Sequence, residues 1–439
     1  MLGSIVAFAL GLNLPRSVLL SGIALAGHSA YLLLREKTRD KKFSPLRRVR
    51  SSFQGPYLET RGNQWPLVLV LLLIFGLLVT YSSLINGQGN ISLTMEYLIL
   101  IPICISLAAS RLNHTTLREL THLAIFYSAG SLVYVLACLI HTRSQGNFNL
   151  FALFFKQSHN ELIAPWGHFN NAVNLRTIEQ SLLFPISLLP VSIVAFARGK
   201  NKGTVWLFAL ISGTLSLSLS RAFNSHFPLV ALCVSSALAL TSLNSKYIQA
   251  KHFLLKQKKL ITISAATLIA TIAGSYLTAK SCIMIDERFS RAAEAIRHLP
   301  LLPQQGTGFL FSYQEACTNK TVTFASTAGD SLHNIFLDFS LQAGLIAGVS
   351  LFTCTALLTR RVFSKLFKSL NNNNQDDIGS TLEMSAAISM IGISWVLWLF
   401  QPVSSSNFSM FICSLYFLAL CSSAVLTHPE EKPPSRLTN

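Results

Sequence analysis

Charged side chains are scarce in this chain of 439 residues: Asp, Glu, Lys and Arg together make up only 12% of it. Hydrophobic residues make up 51%, and many of them stand in runs close to the roughly 20 residues that a helix needs to cross a bilayer. So apolar a chain of this length is not a soluble protein. The composition indicates a polytopic membrane protein surrounded by membrane lipids.

Several catalytic motifs are also absent. The eight cysteines include no Cys-x-x-Cys pair and no Cys/His cluster at metal spacing, which argues against zinc. No Gly-rich loop precedes a Lys-Ser/Thr pair, so no ATP site of that type is expected. A Gly-x-Ser-x-Gly elbow is missing, which weakens an acyl-serine mechanism. The predicted outer loops hold no Asp-x-Asp or His/Glu cluster for a divalent metal. We therefore expect chemistry without a cofactor.

The apolar runs predict an all-α integral membrane protein with about twelve transmembrane helices, which forms a single polytopic domain over residues 1–439. No cleavable signal is expected, because the apolar start lacks a basic n-region. The first run is short and ends at Pro15, so eleven spans with an external N-terminus are the alternative. The predicted spans lie near residues 2–14, 17–34, 65–85, 94–110, 120–140, 177–197, 204–219, 222–242, 260–279, 333–358, 384–401 and 407–427.

The distribution of basic residues predicts the orientation. Segment 35–50 alone carries eight Lys and Arg, and alternate loops bring the predicted cytoplasmic share to 25 of 35. This asymmetry places both termini in the cytoplasm and explains the net charge of +17 without any nucleic-acid partner. The two long outer loops are then 141–176 and 280–332. The second precedes span ten, and its segment 286–299 has the spacing of an amphipathic helix.

Histidine and arginine at the outer ends of spans are the candidates for chemistry. His333 stands where span ten begins, and imidazole accepts a proton near neutral pH, although a lone histidine there more often caps or packs. Arg221 stands between spans seven and eight, where its planar group suits phosphate oxygens or, equally, anchors a helix end. Arg176 is a second candidate, but Glu179 at i+3 offers a simple ion pair.

The long outer loop adds further candidates. Arg288 and Arg291 lie on the predicted amphipathic helix, and Asp338 follows His333 inside the span at i+5, off the histidine's helix face. Cys282 and Cys317 are the only cysteines outside the predicted spans. In an oxidising compartment they could pair, with two free thiols as the alternative.

Four segments together resemble the O-antigen ligase and polymerase superfamily of bacterial envelopes. They are SRAF at 220–223, PLLPQQGTGF at 300–309, HNIFLDFSLQAGLIAG at 333–348 and, more weakly, PWGHFNNAVN at 165–174. The predicted span count and the long outer loop before span ten agree with that family. The sequence departs from its pattern at Ala222 and Gln342, where many members carry Gly and Glu, and it lacks an arginine just ahead of the Trp-Gly segment.

The resemblance implies a multi-pass enzyme of the bacterial inner membrane whose active site faces the periplasm. Such enzymes transfer a glycan from undecaprenyl pyrophosphate to a hydroxyl, without metal or nucleotide. By the same resemblance, His333 is the essential histidine and Arg221 engages the donor pyrophosphate, with Arg176, Arg288, Arg291 and Asn334 as further substrate-binding residues.

The acceptor is left open by the sequence. A ligase, which moves glycan to the lipid A-core sugar, is favoured only by the PWGHFNN segment. A polymerase and a protein O-oligosaccharyltransferase use the same donor and remain alternatives. A lipid-linked sugar transporter would instead show paired repeats and broken helices in matching positions, and the asymmetric loop 280–332 argues against it.

Overall fold

The structure is a computed structural model. It describes residues 2–13, 23, 27, 65–86, 117–145, 162–163, 165–166, 172–173, 175–197, 203–222, 227–243, 306, 310–314, 321–325, 334–372, 378–401 and 408–423. The predicted spans 17–34, 94–110 and 260–279 lie largely or wholly outside these residues.

Ten α-helices and two short antiparallel hairpins make up the described part of the chain. In order they are α1 (Leu2–Gly11), α2 (Trp65–Ile85), α3 (Leu117–Ser144), β1 (Leu162–Ile163), β2 (Ala172–Val173), α4 (Leu175–Ala197), α5 (Gly203–Ala222), α6 (Phe227–Leu243), β3 (Leu310–Gln314), β4 (Thr321–Ala325), α7 (Ile335–Ala343), α8 (Leu345–Asn372), α9 (Ile378–Phe400) and α10 (Phe408–Ser423).

Within the described residues, five helices are long and apolar enough to cross a membrane, namely α2, α3, α4, α8 and α9. The apolar parts of α5, α6 and α10 are shorter. The chain is thus almost entirely helical and has the character of a multi-pass membrane protein. Ten-residue α1 is about 15 Å long, half the thickness of a hydrocarbon core, which fits the short first run in the sequence.

Helix α2 shows how an apolar helix divides its side chains between a buried face and an exposed face. One face is buried at Val68, Leu72, Phe75 and Val79, each 2% exposed or less. The opposite face leaves large side chains exposed at the helical spacing: Leu67, Val70, Leu77 and Leu84. Apolar residues on both faces leave α2 no side suited to water, whereas lipid accepts its outer face without cost.

Neighbouring helices mostly run antiparallel. Ser82, near the end of α2, contacts Gln342 just before α8, and Val68, near the start of α2, contacts Cys354 farther along α8. Similar contacts give α1, α3, α5 and α9 the direction of α2, and α4, α6 and α10 the direction of α8. Helix α7 folds back on α8, because Ser340 packs on Gly348 and Phe336 packs on Phe352.

These directions give the bundle two distinct ends. We call the hairpin end the one where α2, α3, α5 and α9 finish and α4, α6, α8 and α10 begin. Strand β1 lies there beside the end of α3, and β3 lies beside α7. The opposite end carries basic residues at the start of α3 and along α8, including Arg118, Arg360 and Arg361. The chain therefore separates its predicted outer loops from its basic loops.

Helix α9 is the centre of the bundle, since it packs against α3, α4, α6, α7, α8 and α10. Serines fill its contact with α6: the hydroxyls of Ser242 and Ser385 are 2.6 Å apart, and Ser389 donates to the carbonyl of Ser235 at 3.4 Å. Farther along, Trp398 donates its indole N–H to Ser414 of α10 at 2.9 Å. Small hydroxyl side chains let membrane helices approach closely while they satisfy each other.

The predicted span 333–358 is the clearest difference from the sequence interpretation. It is two helices rather than one, because the chain breaks at Gly344, whose φ is 91°. Glycine adopts this conformation without the steric cost that a Cβ would impose. The break leaves the nine residues of α7 as a separate short helix at the hairpin end.

Candidate functional site

The start of α7 is held by Asn334, the residue directly after His333. Its backbone is extended, and its side-chain Oδ1 accepts hydrogen bonds from the amides of Phe336 at 3.1 Å and Leu337 at 3.2 Å. This is an N-cap, which satisfies amides that the first helical turn leaves without partners. Asn334 was predicted to bind substrate, and the geometry shows that its Oδ1 is engaged in capping.

The two arginine candidates lie at one end of an antiparallel helix pair. Gly213 of α5 packs against Pro185 and Leu189 of α4, which fixes how the two helices are aligned. Counting outward from that contact, Arg176 in the first turn of α4 and Arg221 in the last turn of α5 are at nearly the same level. Both positions belong to the hairpin end. Asn334 is close to the last turns of α9, because Phe336 packs on Trp395 and Trp398.

The lateral order of helices separates these positions. Helix α5 packs on α4, α4 packs on α9, and α9 packs on α7. The axes of packed helices are about 8–10 Å apart, so the axis of α4 is at most about 20 Å from the axis of α7. Helix α5 is one packing contact farther away. The main packing contacts thus bring Arg176 nearer to the start of α7 than Arg221.

The helix break between α7 and α8 is the most closely packed part of this end. The hydroxyl of Ser82 donates to the carbonyl of Gln342 at 2.6 Å, and the Nδ2 of Asn86 donates to the carbonyl and hydroxyl oxygens of Ser82, both at 3.0 Å. The last residues of α2 therefore fasten the broken helix.

Gly306, from the PLLPQQGTGF segment at 300–309, packs on the same break. It is buried, its φ is 76°, and a Cβ at this position would overlap the carbonyl of Gln342 and the amide of Gly344. Gly306 is therefore an anchor, which attaches its part of the predicted outer loop to the broken helix.

A line of polar residues follows one face of α7. Asn334, Asp338 and Gln342 are spaced at i, i+4 and i+8, so they lie along the same side of the helix. Asp338 is only 3% exposed and interacts with a neighbour. A buried carboxylate in an apolar bundle is costly, which makes this face a candidate for function rather than for packing.

Both hairpins lie in the predicted outer loops, and the sequence interpretation missed them. In β3 and β4 five residues pair, from Leu310 with Ala325 to Gln314 with Thr321. The alternation in TVTFA at 321–325 was the signal that could have revealed β4. In the first loop, β1 is fixed by the amide of Ile163, which donates to Thr142 of α3 at 2.8 Å.

Trp166 of the PWGHFNN segment joins the first outer loop to α1 and α3. Its indole N–H donates to the carbonyl of Leu12 at 3.0 Å, and its ring lies 6.2 Å from that of Tyr134 between centroids. The observed contacts give this tryptophan a structural role at the hairpin end.

Other predicted site residues lie outside the described residues: His333, Arg288, Arg291, Cys282 and Cys317. Among the residues that the structure does describe, no group of three or more His, Cys, Asp or Glu could hold a metal ion. An apolar cavity of ≈ 70 Å³ lies between α1, α3 and α10, lined by Leu10, Tyr127 and Phe417 among others. It has almost no polar surface and lies away from the hairpin end.

No protein-family model matches this chain, and a search of curated proteins finds no similar sequence.

Proposed function

We propose that this protein is a multi-pass glycosyltransferase of the bacterial inner membrane. It takes a glycan from undecaprenyl pyrophosphate and transfers it to the lipid A-core sugar at the periplasmic face, as an O-antigen ligase does. The hairpin end faces the periplasm in this proposal, because the opposite end carries the basic residues that stay in the cytoplasm.

The observation that carries the proposal is that three candidate positions lie toward one end of the bundle. Arg176 and Arg221 lie at the hairpin end, and Phe336, two residues after the Asn334 cap, packs on Trp398 near the end of α9. The three positions come from distant parts of the sequence. That end also holds both non-helical hairpins. Arginines and a histidine at a membrane boundary suit a reaction that releases a pyrophosphate and consumes a hydroxyl.

In the proposed reaction, the acceptor hydroxyl attacks the anomeric carbon of the donor sugar. The new glycosidic C–O bond forms as the bond from that carbon to the pyrophosphate oxygen breaks, which inverts the configuration. His333 orients the hydroxyl and takes its proton. Arg221 and Arg176, with Arg288 and Arg291 from the outer loop, offset the charge on the departing lipid pyrophosphate.

The cap at Asn334 supplies a fixed helix start directly after His333 in the sequence. The two hydrogen bonds to Oδ1 fix the first turn of α7, which follows His333 in the sequence after Asn334 alone. The nearby break and Gly306 hold the other end of α7. A short helix fastened at both ends is a rigid support for a catalytic residue.

Transfer by the purified protein is the decisive experiment. The protein is reconstituted with an undecaprenyl-pyrophosphate-linked glycan and, in separate reactions, with lipid A-core, with further carrier-linked repeats, or with an acceptor protein. Product on lipid A-core supports the ligase, whereas product on the carrier or the protein supports the polymerase or the protein O-oligosaccharyltransferase. Movement of intact donor across the membrane without any transfer would instead indicate a transporter.

A further inference from the structure

One buried polar atom at the helix break has no obvious purpose in the fold. The side-chain Oε1 of Gln342 is buried and, among the residues that the structure describes, has no hydrogen-bond partner. The backbone carbonyl of the same residue is bonded to Ser82, so the local network is complete without the side chain. A buried acceptor of this kind is unfavourable unless a donor reaches it.

The neighbouring groups define which hydrogen-bond donor would fit beside Gln342 Oε1. Asp338 stands one turn earlier on the same face of α7 and is 3% exposed, so the face presents a carboxylate and an amide oxygen in succession. Both groups accept hydrogen bonds. Phosphate oxygens would be repelled there, whereas hydroxyl groups would be accepted.

The depth of the site also fits a polar ligand. Gln342 is at the level of Ser82 and Asn86, where α2 ends, and Gly306 of the predicted outer segment packs on it. The break is therefore at the boundary of the apolar bundle rather than at its centre.

We infer that the break between α7 and α8 is a saccharide-binding subsite, in which Gln342 Oε1 accepts a hydrogen bond from a sugar hydroxyl. The inference rests on the proposed function and deepens it: the arginines bind the anionic pyrophosphate, and this neutral and acidic face binds the uncharged glycan. The hydroxyl comes from the acceptor sugar or from the donor glycan, and the two sources are separable by experiment.

The first test concerns the protein without substrate. Gln342→Met keeps the side-chain length and removes the acceptor, so the melting temperature in detergent should stay the same or rise. Gln180→Met is the matched control, since Gln180 is a fully buried glutamine of α4 that does interact with a neighbour. Its melting temperature should fall by several degrees. An equal fall for Gln342→Met would show that Oε1 is already bonded, which overturns the inference.

The second test concerns binding. Core oligosaccharide released from lipopolysaccharide should raise the melting temperature of the wild type, and Gln342→Met should need about tenfold to a hundredfold more of it. Gln342→Glu keeps the acceptor and should retain most of the effect. An equal shift in the melting temperatures of wild type and Gln342→Met would overturn the inference. A lack of any shift in both proteins would also overturn it if the substitution leaves the KM of the donor unchanged.

Kinetic measurements identify the source of the hydroxyl. With donor and acceptor varied separately, Gln342→Met should raise the KM of one substrate about tenfold or more and leave the other unchanged. A raised acceptor KM assigns the subsite to the acceptor, and a raised donor KM assigns it to the donor glycan. Two unchanged constants overturn the inference. A wild type without any transfer would defeat the proposed function instead, and the binding test would still decide the subsite.

Discussion

The hydroxyl of Ser82 donates to the carbonyl of Gln342 at 2.6 Å, although 260 positions of sequence separate them. The bond fastens the end of α2 to the point where α7 gives way to α8. Because Gly306 packs on the same carbonyl, three distant segments meet at one peptide group. The residues around this peptide group provide the most direct tests of the architecture.

Replacing Ser82 by Ala should weaken this junction. The change removes a donor from a buried carbonyl, so we expect a loss of roughly 1–2 kcal/mol in the free energy of unfolding. Ser218→Ala is the matched control, because the exposed Ser218 hydroxyl bonds to a carbonyl of its own helix. Thermal unfolding in detergent measures both. Equal melting temperatures for the two variants would show that the junction does not depend on Ser82.

Replacing Gly306 by Ala should detach the outer segment from the broken helix. An alanine at a φ of 76° costs about 1–2 kcal/mol, and its Cβ would also overlap the Gln342 carbonyl. We expect faster proteolysis within 280–332 and reduced transfer. Gly27→Ala is the control, since a Cβ there would meet nothing within 4 Å. Unchanged cleavage of Gly306→Ala would contradict the anchoring role.

The sequence predicted the helices well where an apolar run alone defines them. The run at 65–85 coincides with α2, and the direction of each described span follows from simple alternation across the membrane. That alternation was also enough to put Arg176 and Arg221 at the same end. Helix length and alternation are properties of the chain in a bilayer, and they need no knowledge of tertiary contacts.

The break at Gly344 could not be predicted in the same way. Glycine is common in membrane helices, and nothing within 333–358 distinguishes Gly344 from Gly348, which stays helical. What decides the difference is the approach of Ser82 and Gly306 from distant sequence. The two-residue strands β1 and β2 were equally hidden, because their pairing depends on the bond from Ile163 to Thr142.

Asn334 offers a test that separates capping from substrate binding. Asn334→Asp retains an acceptor for the amides of Phe336 and Leu337, whereas Asn334→Ala loses it and should cost about 1 kcal/mol. If the residue acts by capping, Asp should restore both the melting temperature and the transfer rate. Rescue of stability without rescue of transfer would instead assign Asn334 a direct contact with substrate.

The pairing of Cys282 with Cys317 stays a prediction, because both cysteines lie outside the described residues. Cys317 falls in the sequence joining β3 to β4, so a bond to Cys282 would tie that hairpin to the end of predicted span nine. Closing a loop of this size would stabilise by about 3–4 kcal/mol in the chain-entropy model. Mass spectrometry of unreduced protein decides it, and a free thiol at both positions would end the idea.

The division of labour between histidine and arginine is the sharpest test of the mechanism. His333→Ala should abolish transfer while the protein still inserts and binds the lipid-linked donor, because the histidine acts on the acceptor. Arg221→Ala should weaken donor binding as well as turnover, and Arg221→Lys should restore it only in part, since a point charge cannot reproduce bidentate phosphate contacts. Arg176→Ala should be at least as damaging if proximity to α7 matters, because α4 is one helix nearer to α7 than α5 is.

Chelator should leave the wild-type rate unchanged. Near-normal transfer by His333→Ala, or loss of activity in EDTA, would refute this mechanism, because it assigns the proton to a histidine and the pyrophosphate charge to arginines.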